Sequence, residues 1–232
     1  MPANSRTIIV LATAALLLTL GIFGFTEVDL AVQDRLFDAA TGSWIWDKHE
    51  PVARMLFYTG PKLALVALAA ACLLTLLASG HWDFARKRRQ GLAVLLISLI
   101  IVPAAAGALK TATNVACPAR SDRYGGNVPT ISLFERYPDD ARPADRQRCF
   151  PAGHASGGFA LFALVFMFKG RAARRVAVVI ALTVGGAMAA YKMAIGDHFL
   201  SHTLVTMELA AILVALIASA AVQVERHFGR LP

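Results

Sequence analysis

Apolar residues in this chain gather into six runs, at about 7–25, 61–80, 91–109, 153–168, 176–195 and 199–223. An α-helix needs about 20 apolar residues to cross a bilayer's hydrocarbon core, and these runs are of that order. The pattern predicts an all-α protein, a six-transmembrane-helix bundle that makes residues 1–232 a single integral-membrane domain. The first run follows Arg6 and has the outline of a signal peptide. It is longer than a usual signal core, however, and Thr26-Glu27-Val28-Asp29 is a poor cleavage site, so it is read as a span.

The polar stretches divide into two kinds. Residues 26–60 place Leu30, Asp34, Leu36, Phe37 and Phe57 at roughly helical spacing, which predicts one or two short helices at the outer surface. Trp44 and Trp46 suit an interfacial aromatic belt. Residues 110–152 are rich in Arg and Asp and broken by Pro118, Pro129, Pro138, Pro143 and Pro151. Structureless loops of that length are uncommon unless functional, so this one is expected to fold over the outer mouth of the bundle.

Composition sharpens the class. The chain is 57% hydrophobic and 16% charged, too apolar for a soluble domain. Its formal charge of +8 could suggest nucleic acid, but the position of the charge points elsewhere. Arg86-Lys87-Arg88-Arg89 lies between runs two and three; Lys169, Arg171, Arg174 and Arg175 lie between four and five; Arg226 and Arg230 follow the last. With Arg6, these fall on one side of the bundle, as cytoplasmic loops require. No aromatic residues interleave with them as a nucleic-acid platform would need. Both termini are therefore expected in the cytoplasm. Cys72, within the second run, reads as a small buried hydrophobe. Glu208, inside the sixth, needs a partner facing the bundle.

The candidate chemistry sits at the opposite, outward ends of runs three to six. Lys110 closes the third run, Cys149-Phe150-Pro151-Ala152-Gly153-His154 opens the fourth, Tyr191-Lys192 closes the fifth, and His198 and His202 open the sixth. His198 and His202 lie one helical turn apart, so one can orient the other. A helix starting at Gly153 aims free amides at an anion, and a residue without Cβ lets that anion approach. Lysine charges, amides and imidazoles in one pocket suit phosphate chemistry.

These residues resemble the type 2 phosphatidic acid phosphatase superfamily, whose fold is shared with vanadium haloperoxidases. Its first motif, Lys, six residues, Arg-Pro, is met by Lys110 and Cys117-Pro118. Its second, Pro-Ser-Gly-His, is met by Pro151-Ala152-Gly153-His154. Its third, Ser-Arg, five residues, His, three residues, Asp, is met by Tyr191-Lys192, His198 and His202. All spacings hold, and the specific part covers residues 110–202. Five motif positions differ in kind: Cys117 for arginine, Ala152 for serine, Tyr191 for serine, Lys192 for arginine and His202 for aspartate. A bacterial branch with Cys-Pro in the first motif and Cys-Phe-Pro-Ala-Gly-His-Ala-Ser-Gly-Gly in the second is similar to this chain.

The resemblance implies a lipid phosphatase of the bacterial inner membrane, its active site facing the periplasm. His198 is then the nucleophile, forming a phosphohistidine. His154 is the general acid and base, and His202 orients His198. Lys110, Lys192, Gly153 and Ala152 bind phosphate, and any of Arg120, Arg123 and Arg148 can supply the missing guanidinium. No metal or other cofactor is required where lysines neutralise the phosphate. The partners are the bilayer and a lipid phosphate substrate, such as undecaprenyl diphosphate, lipid A, phosphatidylglycerol phosphate or phosphatidate. If the first two motifs meet at one phosphate, Cys117 and Cys149 lie close enough for a disulfide on the oxidising side.

Other readings use the same residues. They include a transporter with histidines at its mouth, a zinc site built on His154, His198 and His202, a phosphotransferase between lipids, and a catalytically decayed phospholipid-binding protein. Zinc lacks a carboxylate or thiolate to complete its ligands, and the nearby lysines repel a cation. The joint match of three spaced motifs favours the phosphatase.

Overall fold

The computed structural model describes residues 3–228. Helix α1 (Ala3–Phe25) is followed by a short α2 (Val28–Gln33) and a two-stranded hairpin, β1 (Phe37–Asp38) and β2 (Ser43–Trp44). Phe37 pairs with Trp44 across the hairpin, a small departure from the all-helical expectation. Helix α3 (Pro51–Arg54) begins under a cap: the Glu50 carboxylate accepts from the Val52 and Ala53 amides, and Pro51 has no amide to satisfy. It does not lie on the surface as a separate element. Instead it runs through one π-helical turn, Met55–Thr59, into α4 (Gly60–Leu77). The second span therefore starts ten residues earlier than hydropathy places it.

Helix α5 (Asp83–Ala112) carries the Arg86–Arg89 cluster in its first turns and Lys110 in its last. Helix α6 (Gly153–Phe159) continues as a 3-10 helix, Ala160–Met167. Helices α7 (Arg171–Ala194) and α8 (Leu200–Phe228) complete the bundle. Among the described residues five helices are long and apolar enough to cross a membrane; Gly153–Met167 is shorter. Its seven α-helical and eight 3-10 residues extend roughly 10 Å and 16 Å at about 1.5 and 2.0 Å per residue. The tighter helix thus carries a short run nearly as far as a hydrocarbon core of about 30 Å.

Helices α5, α7 and α8 surround α6, with Val94, Leu95, Val102, Phe159, Leu161 and Val214 in the shared core. The two helices meet closely at Gly158, where a Cβ would lie 2.5 Å from the Gly185 Cα, so small residues set the α6–α7 distance. Helix α1 lies along α8, where the Thr19 hydroxyl donates to Glu208 Oε1 at 2.6 Å and provides the buried acid's partner. Outside the core, only 6% of the most apolar window of Pro51–Gly80 is buried. Leu63, Val66, Leu74 and Leu77 are exposed on it, an apolar surface that suits lipid and not water.

Residues 113–152 contain 3-10 turns but no α-helix. They are pinned at several points. Cys117 and Cys149 form a disulfide with Cα atoms 5.2 Å apart, and the Cys149 amide donates to the Val115 carbonyl at 3.0 Å. The Ala119 amide donates to the Gly196 carbonyl at 2.8 Å, holding the loop against the α7–α8 turn. Cys72 remains a buried thiol. Trp44 and Trp46 each pack on one side against other rings, and Trp46 stays 41% exposed. The Trp44 ring packs against Phe37 and Tyr124, and Trp46 stacks on Phe57, beside Tyr191.

The disulfide closes a loop with a sequence separation of 32, for which the chain-entropy relation gives about 4 kcal/mol of stabilisation. Cys117→Ala is expected to lower the unfolding midpoint in detergent and to make it insensitive to reductant. An unchanged midpoint would show that the bridge adds no stability.

Candidate active site

The site is assembled where the start of α6 meets the start of α8. The Ala152 amide donates to the His202 carbonyl at 3.1 Å. The Thr206 hydroxyl is shared between the His202 and Ala152 carbonyls, at 2.7 and 3.1 Å. These bonds fix the register of His154 against His198 and His202. They also commit the Ala152 amide, so Ala152 serves as a register point instead of lending its N–H to a phosphate.

Between α7 and α8 the chain reverses in a tight turn. Gly196 has φ +76°, a left-handed conformation that a glycine adopts without a Cβ clash. The Asp197 and His198 amides both donate to the Lys192 carbonyl, at 2.8 and 3.3 Å. Helix α8 has no capping side chain of its own at Phe199; the Asp29 carboxylate, from α2, accepts from the Ser201 amide at 2.9 Å. The turn between α7 and α8 is thus held by the end of α7, the 110–152 loop and α2 together.

His198 and His202 are buried, with 4% and 1% of their surfaces exposed, and their Nδ1 atoms are 3.4 Å apart. A contact between two neutral imidazoles needs one donor and one acceptor. If His198 donates from Nδ1, its Nε2 lone pair is free and His202 accepts at Nδ1, so the geometry permits a nucleophilic Nε2. The Phe150 and Phe199 rings meet His202 edge-on and hold its plane. Burial pushes the His198 imidazole well below its ordinary range, reinforced by the charges of His202, Lys110, His154 and Lys192. Its neutral form therefore persists into acid.

Two lysines flank the imidazoles. Lys110 lies against Gly153, where a Cβ would come 3.2 Å from both its Cε and Nζ, so the missing side chain makes room for the lysine. Lys192 is 9% exposed and donates to Asp197 Oδ2 at 2.6 Å. The charges of Lys192, Lys110, Asp197 and Lys62 all act on His154. His154 itself packs against Tyr58 with the rings tilted, centroids 4.5 Å apart, and the Tyr58 ring also receives the Lys192 ammonium at 4.5 Å. Neither Tyr58 nor Asp197 is apparent from the motif pattern. Asp197 adjoins a motif histidine, which is a signal of sorts; Tyr58 lies 96 positions before His154 and leaves none.

The loop arginines are placed differently from the lysines. Arg123 makes a two-point ion pair with Asp34, Nε to Oδ1 at 2.9 Å and Nη2 to Oδ2 at 2.7 Å, which holds the Asp34 carboxyl below its ordinary range. It ties the loop to the segment after α2 and is not directed at the histidines. Arg120 lines a separate outer cavity of about 340 Å³ with Asn127, Arg142 and Asp145. Arg148 is exposed. The missing guanidinium of the first motif thus has no replacement in direct contact with the histidines among the described residues.

Several cavities reach the site, one of them, of about 230 Å³, along His202, Ser201 and Asp29. Another, of about 440 Å³, is lined by Leu65, Val66, Leu99, Ile100 and Met188, with Lys62, Lys110 and His154 at its polar end. A third, of about 200 Å³, is lined by Lys48, His49, Arg54, Tyr58, Lys192 and Asp197. An apolar groove ending in two ammonium groups and an imidazole fits an amphiphile with an anionic head.

A carboxylate in place of His202 would favour the charged form of His198. His202→Asp is therefore expected to keep activity and to move the acid limb of the kcat/KM profile upward in pH. In the wild type that limb should fall below pH 6.5, because the His198 shift is downward. The sign for stability is the same: in the window below the ordinary histidine range the unfolded chain binds the proton first, so stability falls as pH falls. An acid limb unmoved by His202→Asp would remove His202 from the orienting role.

No curated protein and no solved structure matches the chain. The family model of the PAP2 superfamily matches residues 91–226, from the core of α5 to the end of α8, a stretch that contains all the motif residues just described. With the three motifs converging at one end of an apolar helical bundle, the match shows that this chain belongs to the PAP2 superfamily, the phosphatases that its motifs resemble.

Proposed function

We propose that the protein is a membrane lipid phosphatase that hydrolyses the phosphate or diphosphate ester of an amphiphile through a phosphohistidine on His198. The observation that carries this reading is the apolar groove whose polar end holds His154 and Lys110, next to the buried His198–His202 pair. The groove takes the lipid tail, and Lys110 at its polar end, with Lys192 from the adjoining cavity, takes the phosphate.

In this mechanism His198 Nε2 attacks phosphorus while His154 gives a proton to the departing lipid oxygen. The bond from phosphorus to that oxygen breaks as the nitrogen–phosphorus bond forms. The positive charge that develops on His198 is shared through its Nδ1–H with the His202 lone pair. His154, now neutral, takes a proton from water, whose oxygen attacks the phosphohistidine and releases orthophosphate. Lys110 and Lys192 neutralise charge on the transferring group throughout, and such preorganised charge accounts for most of what phosphoryl transfer asks of a protein. Neutral His198 suits the first step, since protonation would remove the attacking lone pair.

The orientation follows from charge and redox chemistry. The basic clusters lie at the starts of α5 and α7 and the site lies at their far ends. The positive-inside rule puts the clusters in the cytoplasm, and a disulfide beside the site suits the oxidising side. Six spans, with Gly153–Met167 as the short fourth, bring both termini to the cytoplasmic side of a bacterial inner membrane and the site to the periplasmic face.

Phosphate release in detergent should be measured from undecaprenyl diphosphate, lipid A, phosphatidylglycerol phosphate and phosphatidate. At least one is expected to turn over. His154→Ala is expected to lose roughly 10²–10⁴-fold in rate, and His198→Ala to lose turnover together with any acid-labile, alkali-stable phosphoenzyme. Normal turnover by His198→Ala would exclude the phosphohistidine.

A further inference from the structure

Helix α3 does not enter α4 regularly. At Met55–Thr59 the backbone makes a π-helical turn, closed by the Gly60 amide donating to the Met55 carbonyl five residues back. The sequence accounts for it. Pro61 lacks an N–H, so one ordinary helical bond cannot form there. Gly60 is the residue that tolerates the bulge, since a Cβ would lie 2.6 Å from the Met55 oxygen. Single π turns inside α-helices frequently occur at functional sites, and this one carries Tyr58.

The Tyr58 ring touches both halves of the site. His154 lies 4.5 Å from it, centroid to centroid, and Lys192 Nζ lies 4.5 Å from its centroid. Arg54, one turn earlier, approaches the same ring at 5.9 Å. Phe57, the neighbouring residue in the bulge, stacks on Tyr191, which precedes Lys192. The bulged turn thus braces the end of α7 at two consecutive residues.

We propose that Tyr58 is a positioning residue, whose ring holds the Lys192 ammonium and the His154 imidazole in place for phosphate binding and proton transfer. The proposal rests on the phosphatase reading given above. A lysine is a point charge on a flexible four-carbon stem and lacks the rigid fork of arginine. At Lys192 two fixed groups take over the fork's orienting role. The Asp197 carboxylate holds one N–H at 2.6 Å, and the Tyr58 π-face attracts the cation from another side. The remaining N–H direction is left for a phosphate oxygen.

The test separates the ring's electrostatics from its bulk. Tyr58→Phe keeps the ring and is expected to stay within about threefold of wild type, whereas Tyr58→Leu is expected to lose about tenfold in kcat/KM, within the range of a desolvated cation–π contact. Mono-, di- and trifluorinated phenylalanine at this position should lower kcat/KM stepwise as the ring loses electron density, while a packing role would give a flat series. A second readout needs no turnover: orthophosphate should raise the Tm of the full-length protein in detergent, and that rise should shrink along the same series. An active wild type with a flat series in both readouts would overturn the role of Tyr58 and leave the phosphatase standing. A wild type that turns over none of the lipids would remove the phosphatase instead, and the phosphate-dependent Tm would still decide whether Tyr58 holds the anion site.

Discussion

The bond from the Ala152 amide to the His202 carbonyl sets the geometry of everything else in the site. His154 lies two residues beyond one partner and His198 one helical turn before the other, so this contact fixes how the two imidazoles face each other. A helix that slipped by one residue would rotate its side chains by about 100°, removing a histidine from the pocket altogether. Several contacts reinforce the register. Thr206 bridges the carbonyls of the same two residues, and the Thr113 hydroxyl bonds the Phe150 carbonyl, drawing the end of α5 to the segment before α6. The disulfide and the Cys149–Val115 bond close the ring from outside.

Electrostatics then determines what the assembled residues can do. Burial already disfavours the His198 imidazole as a cation, and the charges of Lys110 and Lys192 act in the same direction, so His198 is kept neutral by two effects of the same sign. In the proposed mechanism, a phosphate in the site would add negative charge beside His154 and support its imidazolium as the proton donor. Asp197 pairs with Lys192 at 2.6 Å and so fixes the direction of that ammonium. The apolar groove completes the arrangement, because a low-dielectric wall strengthens each of these interactions.

The spans and the motif spacing were legible because both are local. Hydropathy runs and fixed residue intervals need no knowledge of what packs against what. Contacts between distant elements are a different matter. Glu208 finds Thr19 across 189 positions, and Asp29 caps α8 across 172. Tyr58 owes its place to a π turn that hydropathy does not register. The same holds for Gly153–Met167, whose apolar run is plain in the sequence while its change to 3-10 geometry is not. Arg123 shows the converse error. A basic residue in an outward loop looks available for phosphate, and only the folded chain reveals that Asp34 has taken it.

The substitutions in the motifs make physical sense as a set. Against the pattern that the chain resembles, Cys117 removes a cation and His202 removes an anion, while Lys192 keeps its charge. The motif residues therefore carry the same net charge as before, spread over fewer ionised groups. Either change alone would unbalance the site: losing the arginine would leave the phosphate under-neutralised, and losing the aspartate would leave an excess of cations around a buried imidazole. Losing both lets a neutral His202 accept from His198 with no carboxylate to desolvate, and burying a charge is the costlier course. The position vacated by arginine holds Cys117, whose sulfur is spent on the bridge to Cys149. What the motif forgoes as a charged hydrogen-bond donor it recovers as a covalent hold on the loop pinned beside the α7–α8 turn.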